Sequence, residues 1–153
     1  MEQRLDYAQA SPAARAAMLA LEKAVRDSGL EQPLLELVRM RASQLNGCAY
    51  CIDMHSKDAR AAGETEQRLY GLDAWRETPF FTERERAALE WTEAITLVAD
   101  SRVPDTVYQQ ALKSFSGKEL ANLTLAVIAI NGWNRIAIGF RMEPGNYQPA
   151  RQA

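Results

Sequence analysis

The sequence is poor in the residues that build metal centres, since its 153 residues include two cysteines and one histidine. Structural zinc normally takes four Cys or His ligands, so this chain does not supply a complete set. A chain of this length buries a good core without disulfide staples and is typical of one domain. We therefore expect a single domain over residues 1–153, with no bound metal and no bound cofactor.

The chain also lacks a block of one charge. Eighteen Lys and Arg residues stand against twenty Asp and Glu residues, and the dispersed charges argue against a nucleic-acid partner. The first six residues contain no apolar signal core, and no uncharged stretch reaches membrane-spanning length. We expect a cytoplasmic protein without a membrane partner. In the cytoplasm thiols are normally reduced, which favours reactive rather than structural cysteines.

Sustained alternation of apolar and polar residues is missing, so no strand is predicted. Caps, prolines and glycines instead divide the chain into helices, with capping boxes predicted at 82–85 and 116–119. Residues 73–81 are predicted to connect two helices. The predicted helices cover about 12–28, 33–45, 48–62, 66–72, 83–98, 105–113 and 120–140. The fold class is all-α, a compact helical bundle of about six to eight helices. The last helix is apolar on nearly all sides, which predicts burial all round, partly by another subunit.

Both cysteines and the histidine fall within residues 45–55, which is the first functional clue. Asn46 and Gly47 can end one helix and begin another, since Asn caps helices and Gly tolerates left-handed backbone angles. On a helix that begins near Cys48, the spacing of three to Cys51 and of four more to His55 places all three side chains on one face.

That face suits two-electron redox chemistry. A thiolate is the reactive form of cysteine, and the first turn of a helix favours it through unpaired N–H groups and the helix dipole. A nearby imidazole adds a proton route. In a Cys-x-x-Cys pair, oxidation of one sulfur to a sulfenic acid can be followed by attack of the other, which gives a disulfide that an external dithiol reopens.

Three other interpretations of this segment stay open. The cysteines could be small buried apolar residues and the histidine a satisfied core residue. An open zinc site could use Cys48, Cys51 and His55 with a carboxylate or water as the fourth ligand. A permanent structural disulfide is the third, although a bridge three residues apart constrains little unfolded chain. Tyr50, Trp133 and Arg135 could line a substrate entrance, but packing or interface roles are the default interpretation.

The spacing of Glu36, Cys48, Cys51 and His55 resembles the active-site signature of the alkylhydroperoxidase D proteins, within the carboxymuconolactone decarboxylase superfamily. The surrounding sequence is similar as well, over roughly residues 33–141. The resemblance implies that Cys51 attacks the peroxide and becomes a sulfenic acid, and that Cys48 supplies a proton and then forms the disulfide. It also implies that His55 and Glu36 form the proton relay. Periodicity alone does not bring Glu36 to His55, and a solvated carboxylate beside Arg39 is the simpler interpretation of Glu36.

The resemblance further implies a helical protomer that forms trimers or hexamers, reduced by an external dithiol such as dihydrolipoamide. We therefore expect a thiol-dependent peroxidase that reduces alkyl or hydrogen peroxides. Two alternatives remain at this point. One is a redox sensor or interaction protein without catalysis. The other is a decarboxylase-type enzyme acting on a small organic acid, because the superfamily includes lactone decarboxylases that do not depend on the cysteine pair.

Overall fold

The computed structural model describes residues 2–149, and all regular structure in that range is helical. It comprises nine α-helices and one 3-10 segment. The α-helices are α1 (Tyr7–Ala10), α2 (Pro12–Arg26), α3 (Gln32–Asn46), α4 (Ala49–Ala61), α5 (Glu66–Gly71), α6 (Glu83–Thr96), α7 (Val98–Ser101), α8 (Asp105–Leu112) and α9 (Gly117–Phe140). The 3-10 segment, Leu72–Glu77, follows α5 directly.

The all-α prediction is confirmed, but residues 2–149 contain nine α-helices instead of the predicted six to eight. Helices α1 and α7 are single turns of four residues, too short to show a periodic pattern. The predicted connection at 73–81 is partly helical, because the 3-10 segment packs the buried Trp75 into the core and its indole N–H donates to Glu93 at 2.8 Å. Both predicted capping boxes form, at the starts of α6 and α9.

Helix α3 lies at the centre of the bundle and packs against α4, α6 and α9. Every residue from Leu34 to Ser43 is buried, including the charged residues Glu36, Arg39 and Arg41. The helix ends at Gly47, which adopts the left-handed conformation with φ 68°. That glycine lets the chain turn straight into α4, so the end of α3 and the beginning of α4 stay close together.

Helix α9 is held against this turn by a network of side-chain amides. Asn46 Nδ2 donates to Asn131 Oδ1 at 3.0 Å and to Asn134 Oδ1 at 2.8 Å. The fully buried Asn134 in turn donates to Ser43 Oγ at 3.0 Å. The polar residues in the middle of α9 therefore fix its position over the segment that carries the cysteines.

Within the single chain, helix α9 is buried on one side only. Ile128 is 52% exposed and Ile138 is 46% exposed, while Leu123, Val127 and Ile130 are buried. By length and a mean hydropathy of 1.3, α9 would pass as a membrane span, and 44% of that apolar window is buried. In this fold the helix packs as a core helix against α2, α3 and α6.

Candidate redox site

The site begins where α4 begins. Cys48 is the N-cap of that helix and Cys51 lies in its first turn, where the Cys51 amide N–H donates to Cys48 Sγ at 3.3 Å. The two sulfurs are joined as a disulfide, and each cysteine is 1% exposed. In this oxidised form neither sulfur is a thiolate, so Cys48 and Cys51 do not offer the ligands that the zinc interpretation requires.

His55 lies one turn beyond Cys51 and is tied to α3. Its Nδ1 is 2.9 Å from Glu36 Oε2. The family resemblance implied this contact, and helical periodicity alone could not predict it. Among residues 2–149, every fully buried side-chain nitrogen or oxygen has a hydrogen-bond partner. The only hydrogen bond of the His55 ring in that range is at Nδ1, so Nε2 has no partner and is not fully buried. The other ring nitrogen, Nε2, is therefore open to the cavity that His55 lines.

Glu36 is buried rather than solvated, with 4% of its surface exposed. Its Oε1 accepts from Gln32 Nε2 at 2.7 Å and from Arg39 Nη1 at 2.6 Å. Arg39, which is 5% exposed, also pairs with Glu22 on α2. The interpretation of Glu36 as a surface carboxylate is therefore wrong, because α2, α3 and α4 enclose it with one guanidinium and one imidazole.

The surroundings of Glu36 keep it ionised. Burial by itself raises the pKa of the Glu36 carboxyl, but the hydrogen bond from His55 and the charges of His55 and Arg39 outweigh burial and hold that pKa below its ordinary value. An ionised carboxylate only accepts hydrogen bonds, so His55 Nδ1 carries a hydrogen, and Nε2 is the ring nitrogen that can act as a base when it carries none.

Cys51 and His55 open on a cavity of about 550 Å³ between α2, α3, α4 and α9. Leu19, Met54 and Trp133 supply apolar wall, and Tyr50 also lines it. The default interpretation of Tyr50 and Trp133 as packing residues is thus incomplete. Arg135 does not line this cavity; it is exposed and bonds to Asn131 on its own helix.

The chain after α9 closes one side of the cavity. Tyr147 lines it and donates its hydroxyl to Asp58 Oδ1 at 2.8 Å. Burial and the hydrogen bond to Asp58 raise the pKa of Tyr147 to about 12. Asp58 lies one turn beyond His55 on the same helix face, a spacing that could have identified it. Tyr147 lies far away in the sequence and gave no such signal.

Glu36, His55 and Asp58 bring one potential metal-ligand atom each to within 4.8 Å of one another. Both carboxylates already accept hydrogen bonds, because Arg39 and His55 donate to Glu36 and the Tyr147 hydroxyl donates to Asp58. A guanidinium at 2.6 Å from Glu36 also repels a cation. The cluster fits a proton relay better than a metal centre.

Three of the four predicted residues, Glu36, Cys51 and His55, therefore line one cavity. Cys48 is bonded to Cys51 but lines a second, smaller depression. A helical bundle with a first-turn Cys-x-x-Cys pair beside a buried His–Glu couple agrees with the alkylhydroperoxidase D-like class that the sequence signature resembles.

Comparisons with known proteins agree with this class. The sequence profile of the carboxymuconolactone decarboxylase family matches residues 7–94. The uncharacterized protein YdfG of Bacillus subtilis is 44% identical over 138 residues, which cover 90% of this chain and 94% of that protein. The chain belongs to the carboxymuconolactone decarboxylase family and is an alkylhydroperoxidase D-like member of it.

Solved structures show the same fold. A protein of unknown function from Agrobacterium tumefaciens, described as a candidate antioxidant defence protein AhpD, superimposes with a TM-score of 0.93 at 44% identity, over 95% of this chain and all of that one. The debrominase Bmp8, as a variant in complex with 2,3,4-tribromopyrrole, gives a TM-score of 0.78 at 16% identity, over 90% and 74% of the two chains. The debrominase likeness concerns the fold alone.

Proposed function

We propose that this protein is a thiol-dependent peroxidase that reduces alkyl or hydrogen peroxides through Cys51. The observation that carries the proposal is the buried chain of contacts from Arg39 through Glu36 to His55, which ends in the cavity that Cys51 lines. A base beside a nucleophile works best when a third group holds it, and this chain of contacts supplies that group.

The first half-reaction starts from the reduced protein. The Cys51 thiolate attacks the terminal oxygen of the peroxide, the O–O bond breaks, and the alkoxide that leaves takes a proton from Cys48 or from His55. Cys51 is then a sulfenic acid. The Cys48 thiolate attacks its sulfur, the hydroxyl leaves as water after taking a proton, and the disulfide seen here is the product.

His55 and Glu36 serve as the proton relay in this scheme. His55 Nε2 receives the proton of the Cys51 thiol, directly or through a water, and the ionised Glu36 stabilises the imidazolium that results. Arg39 acts as a positioning residue, because it holds Glu36 in place.

The disulfide requires an external reductant, and we propose a dithiol such as dihydrolipoamide, with no cofactor bound to the protein. We also propose a homo-oligomer, a trimer or hexamer, in the cytoplasm. The exposed Tyr70, Leu97 and Val98 support an assembly, because a further subunit would cover such apolar surface.

The experiment that tests the function is peroxide consumption with dihydrolipoamide as reductant, measured on wild type, Cys51→Ser and Cys48→Ser. We expect turnover in the wild type only, with two thiols lost per chain on oxidation. Activity that survives in Cys51→Ser would refute the assignment. Thiol oxidation without turnover would favour the redox-sensor alternative, and unreactive thiols would favour decarboxylase-type chemistry.

A further inference from the structure

The two cysteines of the disulfide line different spaces in the protein. Cys51 lines the cavity of about 550 Å³ that holds His55 and Glu36. Cys48 lines a second depression of about 370 Å³, here called the Cys48 groove, which His55 and Glu36 do not reach. The groove is lined by Gly47, Cys48, Ala49, Tyr50, Ala137, Ile138, Arg141, Met142, Glu143 and Pro144.

A thin wall separates the cavity from the groove. Tyr50, Ala137 and Met142 line both spaces, and all three pack on the cysteine pair. The disulfide is part of that wall. A reagent in the groove therefore lies beside Cys48, and a reagent in the cavity lies beside Cys51.

We propose that the Cys48 groove is the docking site of the dithiol reductant, so that peroxide and reductant reach the disulfide from opposite sides. The proposal rests on the dithiol-dependent peroxidase function proposed above. A dithiol carried on an aliphatic chain fits the groove, because its walls are mostly apolar and include Ile138, which is 46% exposed. Its volume also falls in the range of small-molecule sites.

The chemistry of the disulfide favours the same direction of attack. The first thiolate of the reductant attacks Cys48 Sγ, the bond between Cys48 and Cys51 breaks, and Cys51 leaves as a thiolate. A leaving thiolate departs faster when its charge is stabilised. Cys51 leaves into the cavity where the His55 ring lies one helical turn away and can protonate or pair with it.

The second step completes the reduction. The other thiol of the dithiol loses its proton and attacks the reductant's own sulfur in the mixed disulfide, and Cys48 leaves as a thiolate that then takes a proton. The Cys51 amide N–H already donates to Cys48 Sγ at 3.3 Å and stabilises that anion. The protein gains two electrons and two protons, and the reductant becomes a cyclic disulfide.

This arrangement has a functional consequence. The reductant does not have to enter the cavity that accepts the peroxide, so a large carrier of the dithiol can bind while the peroxide cavity stays open. Substitutions in the groove are therefore expected to slow reduction and leave oxidation unchanged.

The test measures the two half-reactions separately in Ile138→Gln and in a matched control, Ile128→Gln. Ile128 lies on the same helix and is 52% exposed, but it does not line the groove. Starting from protein oxidised with diamide, we expect Ile138→Gln to react about tenfold more slowly with dihydrolipoamide, the change that corresponds to about 1.4 kcal/mol. Its oxidation by peroxide and both half-reactions of Ile128→Gln should match the wild type.

Two results would overturn the proposal: equal slowing of reduction in both isoleucine variants, or slowing of oxidation and reduction alike in Ile138→Gln. Reduction is measured on protein oxidised with diamide, so this test does not depend on the peroxidase function. If the peroxidase function fails, peroxide will not oxidise the reduced protein, and the reduction test can still be carried out.

The site of attack can be read directly as well. Oxidised wild-type protein is mixed with 2-mercaptoethanol, quenched at short times with an alkylating reagent, and sequenced by mass spectrometry. We expect the mercaptoethanol adduct on Cys48 and the alkyl group on Cys51. The reverse pattern would show that the reductant attacks Cys51 and would refute the assignment of the groove.

Discussion

Replacing Arg39 by methionine tests the idea that a buried ion pair positions the relay. The Arg39 side chain is 6% exposed and bridges Glu36, 5% exposed, and Glu22, 20% exposed. Solvent screens so enclosed a pair weakly, and breaking a buried pair by removing one partner costs about 3–5 kcal/mol. At about 2–4 °C per kcal/mol for a domain of this size, the Tm should fall by roughly 6–20 °C.

The assay is thermal unfolding followed by circular dichroism, with Arg135→Met as the control. Arg135 is exposed and bonds only to Asn131 on its own helix, so its loss should change stability by no more than about 0.5 kcal/mol. Glu36→Gln combined with Arg39→Met should destabilise by less than the sum of the single changes, because the pair is coupled. Equal Tm values for Arg39→Met and Arg135→Met, or additive effects of the two changes, would refute the reasoning.

Three further predictions concern individual contacts of the site. The pKa of Glu36 lies below its ordinary value of 4.5, so its ionised form stabilises the fold above pH 4.5. This contribution disappears as pH falls through the folded-state pKa. In urea titrations the difference in stability between wild type and Glu36→Gln should therefore shrink below pH 4.5, and a constant difference would contradict the prediction. Gly47 has φ 68°, so Gly47→Ala should lower the free energy of unfolding in urea by about 1 kcal/mol and slow disulfide formation. An unchanged free energy and an unchanged rate would show that the turn tolerates a side chain. The Tyr147 phenol, with a pKa of about 12, should titrate in the ultraviolet at a lower pH in Asp58→Asn, and an unchanged midpoint would argue against the bond between the two side chains.

The sequence predicts the local part of the site well. Asn46, Gly47 and the spacing of Cys48, Cys51 and His55 depend only on one turn and one helix, so periodicity and capping rules suffice. Both capping boxes are predicted for the same reason, because each is complete within four residues.

The long-range part of the site requires the fold. The contact between Glu36 and His55 joins two helices across a turn, and the packing angle that brings them together is not encoded in either helix alone; only the family resemblance pointed to it. Tyr147 reaches the cavity from 89 residues beyond its partner Asp58. The exposed Ile128 and Ile138 show a further limit, because the sequence of a helix that is apolar on all sides does not reveal which side stays exposed in the folded chain.

The most direct test of the central claim is a single oxidation of the reduced variants Cys48→Ser and Cys51→Ser by one equivalent of peroxide, followed by mass spectrometry. The account predicts that Cys48→Ser gains one oxygen at Cys51 as a sulfenic acid, because its reactive thiolate and relay are intact. Cys51→Ser should gain none on the same timescale. If Cys51→Ser is oxidised at Cys48 as fast as Cys48→Ser is oxidised at Cys51, the claim that Cys51 is the peroxide-reactive residue is contradicted.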